Sequence, residues 1–267
     1  MILAAWQQSF SNVLELACRE PDQRIHYGKL SEQFAEFWLP AGAEGKCPLV
    51  VLIHGGCWLE AYDIAHIRPL AAALANKGYA VWALEYRRIG QDGGGWPGTF
   101  LDIADGMDAL KNLDHEQIDK SRAVLLGHSA GGQLSLWAAA RCSLRPGQEL
   151  YREAPFIPHG VIGLAAITDL AGYAKGDSRC EQATPQLMGG TAEEHPMRYA
   201  QASPAELGTS VPTVLLHGDA DSIVSPEQAT MLSGATLRRI EAAGHFDLIH
   251  PGTPAFGLLL AEIECIL

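Results

Sequence analysis

An apolar run, Ala123-Val124-Leu125-Leu126, leads straight into Gly127-His128-Ser129-Ala130-Gly131, and a helix-like run from Gln133 to Arg141 follows. A strand, a tight turn and a helix in that order constrain this chain more than any other feature. A serine at the centre of so sharp a turn takes a strained backbone conformation, so its neighbours must be small. Gly127, Ala130 and Gly131 meet that need. The hydroxyl is then pushed out at the end of the strand, above a helix N-terminus that favours negative charge. A glycine-rich helix start with an incidental serine has the same five-residue pattern, so the rest of the chain must decide.

The rest of the chain alternates short β-rich runs with longer helical patterns, which predicts an α/β fold with a mostly parallel central sheet flanked by helices. Strands are expected over 24–27, 34–39, 49–53, 79–86, 123–126, 161–167, 213–216 and 235–240, and helices over 63–76, 100–113 and 254–267. Lys77-Gly78 gives the first of these helices a basic last turn and a glycine cap. Residues 1–22 read as an N-terminal helical segment. The interval 169–210, a mixture of glycine, proline and charge, reads as a small cap or irregular excursion. A chain of 267 residues can bury all of this in one domain, and nothing in it requires two.

A net charge of −12 and the lack of any basic block exclude a phosphate footprint, so no nucleic-acid partner is expected. No apolar run reaches membrane-spanning length, and the N-terminus lacks the basic region of a signal peptide, so a cytoplasmic protein with no membrane partner is expected. Six cysteines without CxxC pairs or metal-ligand spacing read as reduced thiols more than as a disulfide framework. Gly90 to Gly98 lacks the ending of a phosphate-binding loop and reads as a surface loop pinned by Trp96 and Pro97. The oligomeric state stays open, a homodimer included.

A serine hydroxyl is a weak nucleophile; it needs a base, and the base needs an orienting carboxylate. Two later segments supply them, each just past the carboxyl end of an expected strand, where open α/β sheets place their sites. In His217-Gly218-Asp219-Ala220-Asp221, Asp221 is the chosen acid; Asp219 is its rival, better suited to organising the turn. Asp169 is a weaker rival. In Ala243-Gly244-His245, His245 is the chosen base, with His217 assigned a structural hydrogen bond and His250 a loop position. Backbone N–H groups must also receive the oxyanion of a tetrahedral intermediate. Ala130 supplies one, and Gly56 and Cys57 in His54-Gly55-Gly56-Cys57-Trp58 supply the others. His54 and Trp58 are assigned to holding that loop, and the Cys57 thiol is assigned no role.

Together, His-Gly-Gly-x-Trp at 54–58, Gly-His-Ser-Ala-Gly at 127–131, His-Gly-x-x-Asp-x-x-Val at 217–224 and Gly-His at 244–245 resemble the esterase/lipase branch of the α/β-hydrolases. The first motif is similar to that of kynurenine formamidases and small esterases of the hormone-sensitive-lipase-like group, and the likeness spans roughly residues 25–267. It implies an α/β-hydrolase fold and hydrolysis of a small ester or amide through an acyl-enzyme on Ser129, with His245 as general base and acid, Asp221 orienting it, and no metal or organic cofactor. An aryl formamide is the narrower substrate it allows. A ligand-binding protein on the same fold and an acyltransferase using the same residues are the competing readings.

Overall fold

The computed structural model describes residues 7–42 and 45–267. Eight strands form one sheet: β1 (Gln23–His26), β2 (Phe34–Trp38), β3 (Cys47–Ile53), β4 (Ala80–Leu84), β5 (Ile118–His128), β6 (Gly160–Leu164), β7 (Thr213–Gly218) and β8 (Thr236–Ile240). Their order across the sheet is β1-β2-β4-β3-β5-β6-β7-β8. The pairings β1–β2 and β2–β4 are antiparallel, and all the others are parallel. Strand β3 shows why the centre is parallel. Its last five residues, Leu49 to Ile53, are all apolar and all buried, the pattern of a strand covered on both faces.

The helices are α1 (Phe10–Leu14), α2 (Arg68–Ala75), α3 (Gly98–Asp108), α4 (Ala130–Ala140), α5 (Leu170–Tyr173), α6 (Arg179–Met188), α7 (Pro196–Ala202), α8 (Pro204–Leu207) and α9 (Pro254–Ile266). Two apolar layers sandwich the sheet. One includes Phe100 and Ile103 of α3 with Leu134 and Trp137 of α4. The other includes Leu70 and Leu74 of α2 with Leu259 and Ile263 of α9. Every residue of α4 is buried, so its apolar, small-residue composition suits a helix covered on all sides.

Three expectations change in detail. The helix expected over 63–76 opens as a 3-10 turn, Ile64–Ile67, before α2, with Pro69 in the first turn of α2, where its missing N–H costs nothing. Strand β5 begins earlier than expected, because Ile118 and Asp119 pair with Cys47 and Pro48 before the register shifts ahead of Leu49. The interval 169–210 is a helical cap, α5 to α8, rather than an irregular excursion.

The N-terminal segment is a clear correction. Residues 1–6 of the expected 1–22 helix lie outside the described residues. In the remainder only Phe10–Leu14 is helical, started by a capping box between Ser9 and Asn12. Only Val13 of it is buried, so packing supports no more than this one turn. The chain then leaves extended to join the sheet, where the Asp22 N–H donates to the Phe37 carbonyl at 2.8 Å.

Candidate active site

The register of the parallel strands decides what meets at their carboxyl ends. Ile53 of β3 lies beside Gly127 of β5, and His128 beside Leu164 of β6. The loop after β3, the turn after β5 and the loops after β7 and β8 therefore open on one edge of the sheet.

Ser129 sits between β5 and α4 with φ 56° and ψ −120°, a conformation that costs a non-glycine residue roughly 1–3 kcal/mol. Its N–H donates to the Leu164 carbonyl at 2.8 Å, and its carbonyl accepts from Gln133 at 3.1 Å, so both sides of the turn are tied down. Gly131 is required here: a side chain at that position would run into the backbone of Ile53 and His54. The β3 loop passes just as closely over the serine. A Cβ at Gly55 would stand 2.7 Å from the His128 carbonyl and 3.1 Å from Ser129 Cβ.

That loop carries three successive positive φ angles, at Gly56 (106°), Cys57 (53°) and Trp58 (58°). Two are on side-chain-bearing residues, so neighbours must hold the strain. Trp58 is fully buried and its indole N–H donates to Gln133 Oε1 at 3.1 Å, while Gln133 Nε2 donates to the Ala202 carbonyl at 2.9 Å. One glutamine of α4 thus ties the loop to the end of α7. His54 Nε2 donates to the Glu85 carboxylate at 2.9 Å, and the Tyr86 hydroxyl donates to the His54 carbonyl at 2.8 Å.

The Cys57 thiol does have a role, contrary to the sequence reading. Cys57 is disulfide-bonded to Cys180 of α6, which joins the β3 loop to the cap across 123 residues. A pairing that distant leaves no local spacing signal. Among the described residues, Cys18, Cys47, Cys142 and Cys265 are free.

Asp221 and His245 come together. His245 Nδ1 donates to Asp221 Oδ2 at 2.7 Å, with both residues buried. The other carboxylate oxygen accepts the N–H groups of Ile223 and Val224 at 2.9 and 3.0 Å. Burial pushes the Asp221 pKa up, but hydrogen bonds from His217 and His245, the His245 charge and the Ile223 amide outweigh it. They hold the carboxyl well below the usual carboxylate range.

The rivals are occupied elsewhere. Asp219 Oδ1 accepts the Ala242 N–H at 2.6 Å, linking the loops after β7 and β8. Asp169 caps α5 by accepting from Gly172 at 3.0 Å. His217 Nε2 donates to the Val224 carbonyl at 2.9 Å and lies 3.4 Å from Asp221 Oδ2, so it steadies the Asp221 loop. His250 accepts the Gly252 N–H at 3.0 Å and lines a separate groove with Arg19 and Pro69.

Ser129, His245, Gly56 and Cys57 line one cavity of about 270 Å³, together with Phe10, Tyr62, His66, His128, Cys180, Ile223 and Phe246. Ala130 is not among its lining residues, although its N–H belongs to the first turn of α4, where amides lack intrahelical partners. Among the described residues no hydrogen bond joins Ser129 Oγ to His245; the two meet as walls of the same space. None of the lining side chains is Asp, Glu, Lys or Arg, so the cavity suits an uncharged guest. Burial drives the His66 pKa down to about 3, so its ring is neutral. No group of three metal-ligating side chains occurs among the described residues, nor is any helix long and apolar enough to cross a membrane.

Two further residues that hold the site together, His128 and Asp247, were assigned no role from sequence. His128 Nε2 donates to the His245 carbonyl at 3.0 Å, holding the backbone of the histidine beside it in space. Asp247 accepts the Gly244 N–H at 2.6 Å through one oxygen and the Gln8 N–H at 3.0 Å through the other. An acidic side chain in the first turn that reaches back to a backbone N–H is a helix-start signal, and Asp247 opens the 3-10 turn Phe246–Ile249 in this way.

Residues 35–236 match the family model described as BD-FAE, more than half of the chain, and the chain belongs to that family. It is 25% identical over 197 residues to the probable carboxylic ester hydrolase LipM of Mycobacterium tuberculosis, covering 69% of this chain and 44% of that protein. It is 29% identical over 119 residues to the isoprenylcysteine alpha-carbonyl methylesterase ICME of Arabidopsis thaliana, covering 43% of this chain and 26% of that one. The chain thus spans less than half the length of these curated relatives. Among solved structures it resembles esterase B from Lactobacillus rhamnosis, with a TM-score of 0.77 at 19% identity, covering 94% of this chain and 87% of that one. A truncated carbohydrate esterase from gut microbiota gives 0.74 at 19%, covering 93% and 99%. The fold is that of the α/β-hydrolases.

Proposed function

We propose that this BD-FAE family member is a serine hydrolase that cleaves a small, uncharged carboxylic ester. The observation that carries the reading is the 2.7 Å hydrogen bond from His245 Nδ1 to Asp221, made beside a cavity that Ser129 also lines. With Nδ1–H committed to the carboxylate, Nε2 is the free acceptor for the serine proton. Ser129 Oγ attacks the ester carbonyl as His245 Nε2 takes its proton, and Asp221 stabilises the imidazolium. The oxyanion accepts N–H groups from Gly56, Cys57 and Ala130. His245 then gives its proton to the leaving alcohol, and a water activated by the same Nε2 releases the acid and restores the serine.

An ester comes ahead of a formamide because the relatives named above are ester hydrolases by name. A cavity of about 270 Å³ sits at the small end for ligand sites, which favours a short acyl group. The test is the turnover of p-nitrophenyl acetate, p-nitrophenyl octanoate and N-formylkynurenine by the wild type and Ser129→Ala. Acetate ahead of octanoate, both lost in Ser129→Ala, is the expected result. Faster Ser129-dependent turnover of the formamide would reassign the substrate to an aryl formamide. Turnover that survives Ser129→Ala, or none in the wild type, would overturn the mechanism.

A further inference from the structure

The cavity lining holds two kinds of side chain. The Cys57–Cys180 pair and Ile223 are one. Phe10, Tyr62 and Phe246 are the other, three aromatic rings from three separate parts of the chain, with His66 against Phe10. Phe10 is their hub. Its ring meets Tyr62 edge-on at 5.4 Å, Phe246 edge-on at 5.8 Å, and His66 at 5.4 Å. It is half-buried on a one-turn helix whose only buried residue is Val13, so it serves the cavity wall more than the core. Val13 and the Gln8 N–H on Asp247 help to hold that helix in place.

The wall's position relative to the base gives it a chemical meaning. Phe246 meets the His245 imidazole edge-on at 5.1 Å, so the aromatic wall begins beside the base and runs through Phe10 to Tyr62. In ester cleavage His245 must pass its proton to the leaving oxygen, which places the leaving group on the base's side of the serine. A flat, uncharged ring in that group would lie against ring faces and edges already arranged for such contacts.

Resting on the esterase reading above, we infer that Phe10 is a specificity-determining residue, selecting esters whose leaving alcohol carries an aromatic ring. The test measures kcat/KM on ethyl acetate, benzyl acetate and ethyl phenylacetate, which place the ring nowhere, on the alcohol side, or on the acyl side. Ethanol and benzyl alcohol are leaving groups of similar acidity, and the intrinsic reactivity of each ester cancels when a variant's ratio is compared with that of the wild type. The wild type should favour benzyl acetate over ethyl acetate. Phe10→Ala should lower that ratio about tenfold, the size of a lost aromatic contact. The ratio of ethyl phenylacetate to ethyl acetate should stay put. Phe10→Leu keeps apolar bulk and removes only the ring, so it should show a smaller drop and carries the test should the alanine variant fail to fold. An equal loss on all three esters would reduce Phe10 to a structural role, and a loss confined to ethyl phenylacetate would move the wall to the acyl side; either overturns the inference and leaves the esterase reading standing. Turnover independent of Ser129, or none, would overturn both.

Discussion

His128 holds His245 by the backbone. Its Nε2–H donates to the His245 carbonyl at 3.0 Å, and the two rings lie 4.5 Å apart. Burial, followed by the charges of His245 and His66, keeps the His128 pKa well below its ordinary value, so the ring is neutral and Nε2 carries the proton the carbonyl needs. Nδ1 is then a buried acceptor with no partner among the described residues. In the proposed mechanism, the residue before the nucleophile thus positions the residue that activates it. His128→Phe keeps the ring volume and removes the N–H. It should lower kcat on p-nitrophenyl acetate about tenfold and also lower the melting temperature by a few degrees, because the buried His245 carbonyl loses its donor. An unchanged kcat would mean that Asp221 alone orients the base.

The two aspartates of the β7 loop should separate cleanly. Asp221→Asn offers an amide where His245 Nδ1 needs an acceptor, and it should cost on the order of 10³–10⁴ in kcat by favouring the wrong tautomer. Asp219 only accepts the Ala242 N–H, which an asparagine carbonyl can also do, so Asp219→Asn should stay within a few-fold of the wild type. Kinetics of the two variants side by side decide this, and the reverse order would reassign the acid.

How far the sequence could be read depends on whether a signal is local. The sharp turn at Ser129 was legible because small residues flank the serine between an apolar strand and a helix. His245 and Asp221 were legible because each follows a strand whose carboxyl end faces the same edge. The Cys57–Cys180 bond was not, since residues 123 apart carry no shared pattern. Nor was the role of His128, which depends on how the loop after β8 folds back over β5. Phe10 escaped for a third reason. A five-residue helix is too short for periodicity to mark, and tertiary contacts alone decide where its ring goes.

Stability should fall in mild acid. The folded His66 titrates at about 3 instead of 6.5, and His128 is likewise lowered, so below pH 6.5 the unfolded chain binds protons that the folded chain does not. Stability is therefore full above about pH 6.5 and declines as the pH falls toward 3, by up to about 1.4 kcal/mol per pH unit for each histidine. The depressed Asp221 carboxyl adds a loss of the same sign only below its ordinary value of 3.8. Urea midpoints at pH 7.5, 6 and 5 should show the decline, and His66→Gln should make it shallower. Parallel pH curves for the variant and the wild type would count against a buried neutral His66.

The Cys57–Cys180 bond should matter to stability and to rate together. It closes a loop of more than 100 residues, long enough for a cross-link to contribute about 2–4 kcal/mol by restricting the unfolded chain. It also ties Cys57, a proposed oxyanion donor with φ 53°, to the start of α6. Cys180→Ser should lower the melting temperature and reduce kcat on p-nitrophenyl acetate, because a donor loop held less firmly stabilises the oxyanion less. Dithiothreitol should bring the wild type to the same state, and Cys142→Ser, at an exposed free thiol, should change neither quantity. Peptide mapping without reductant identifies the linked pair directly. Loss of stability with an unchanged rate would make the bond a staple for the cap and leave Trp58 and Gln133 to hold the donor loop.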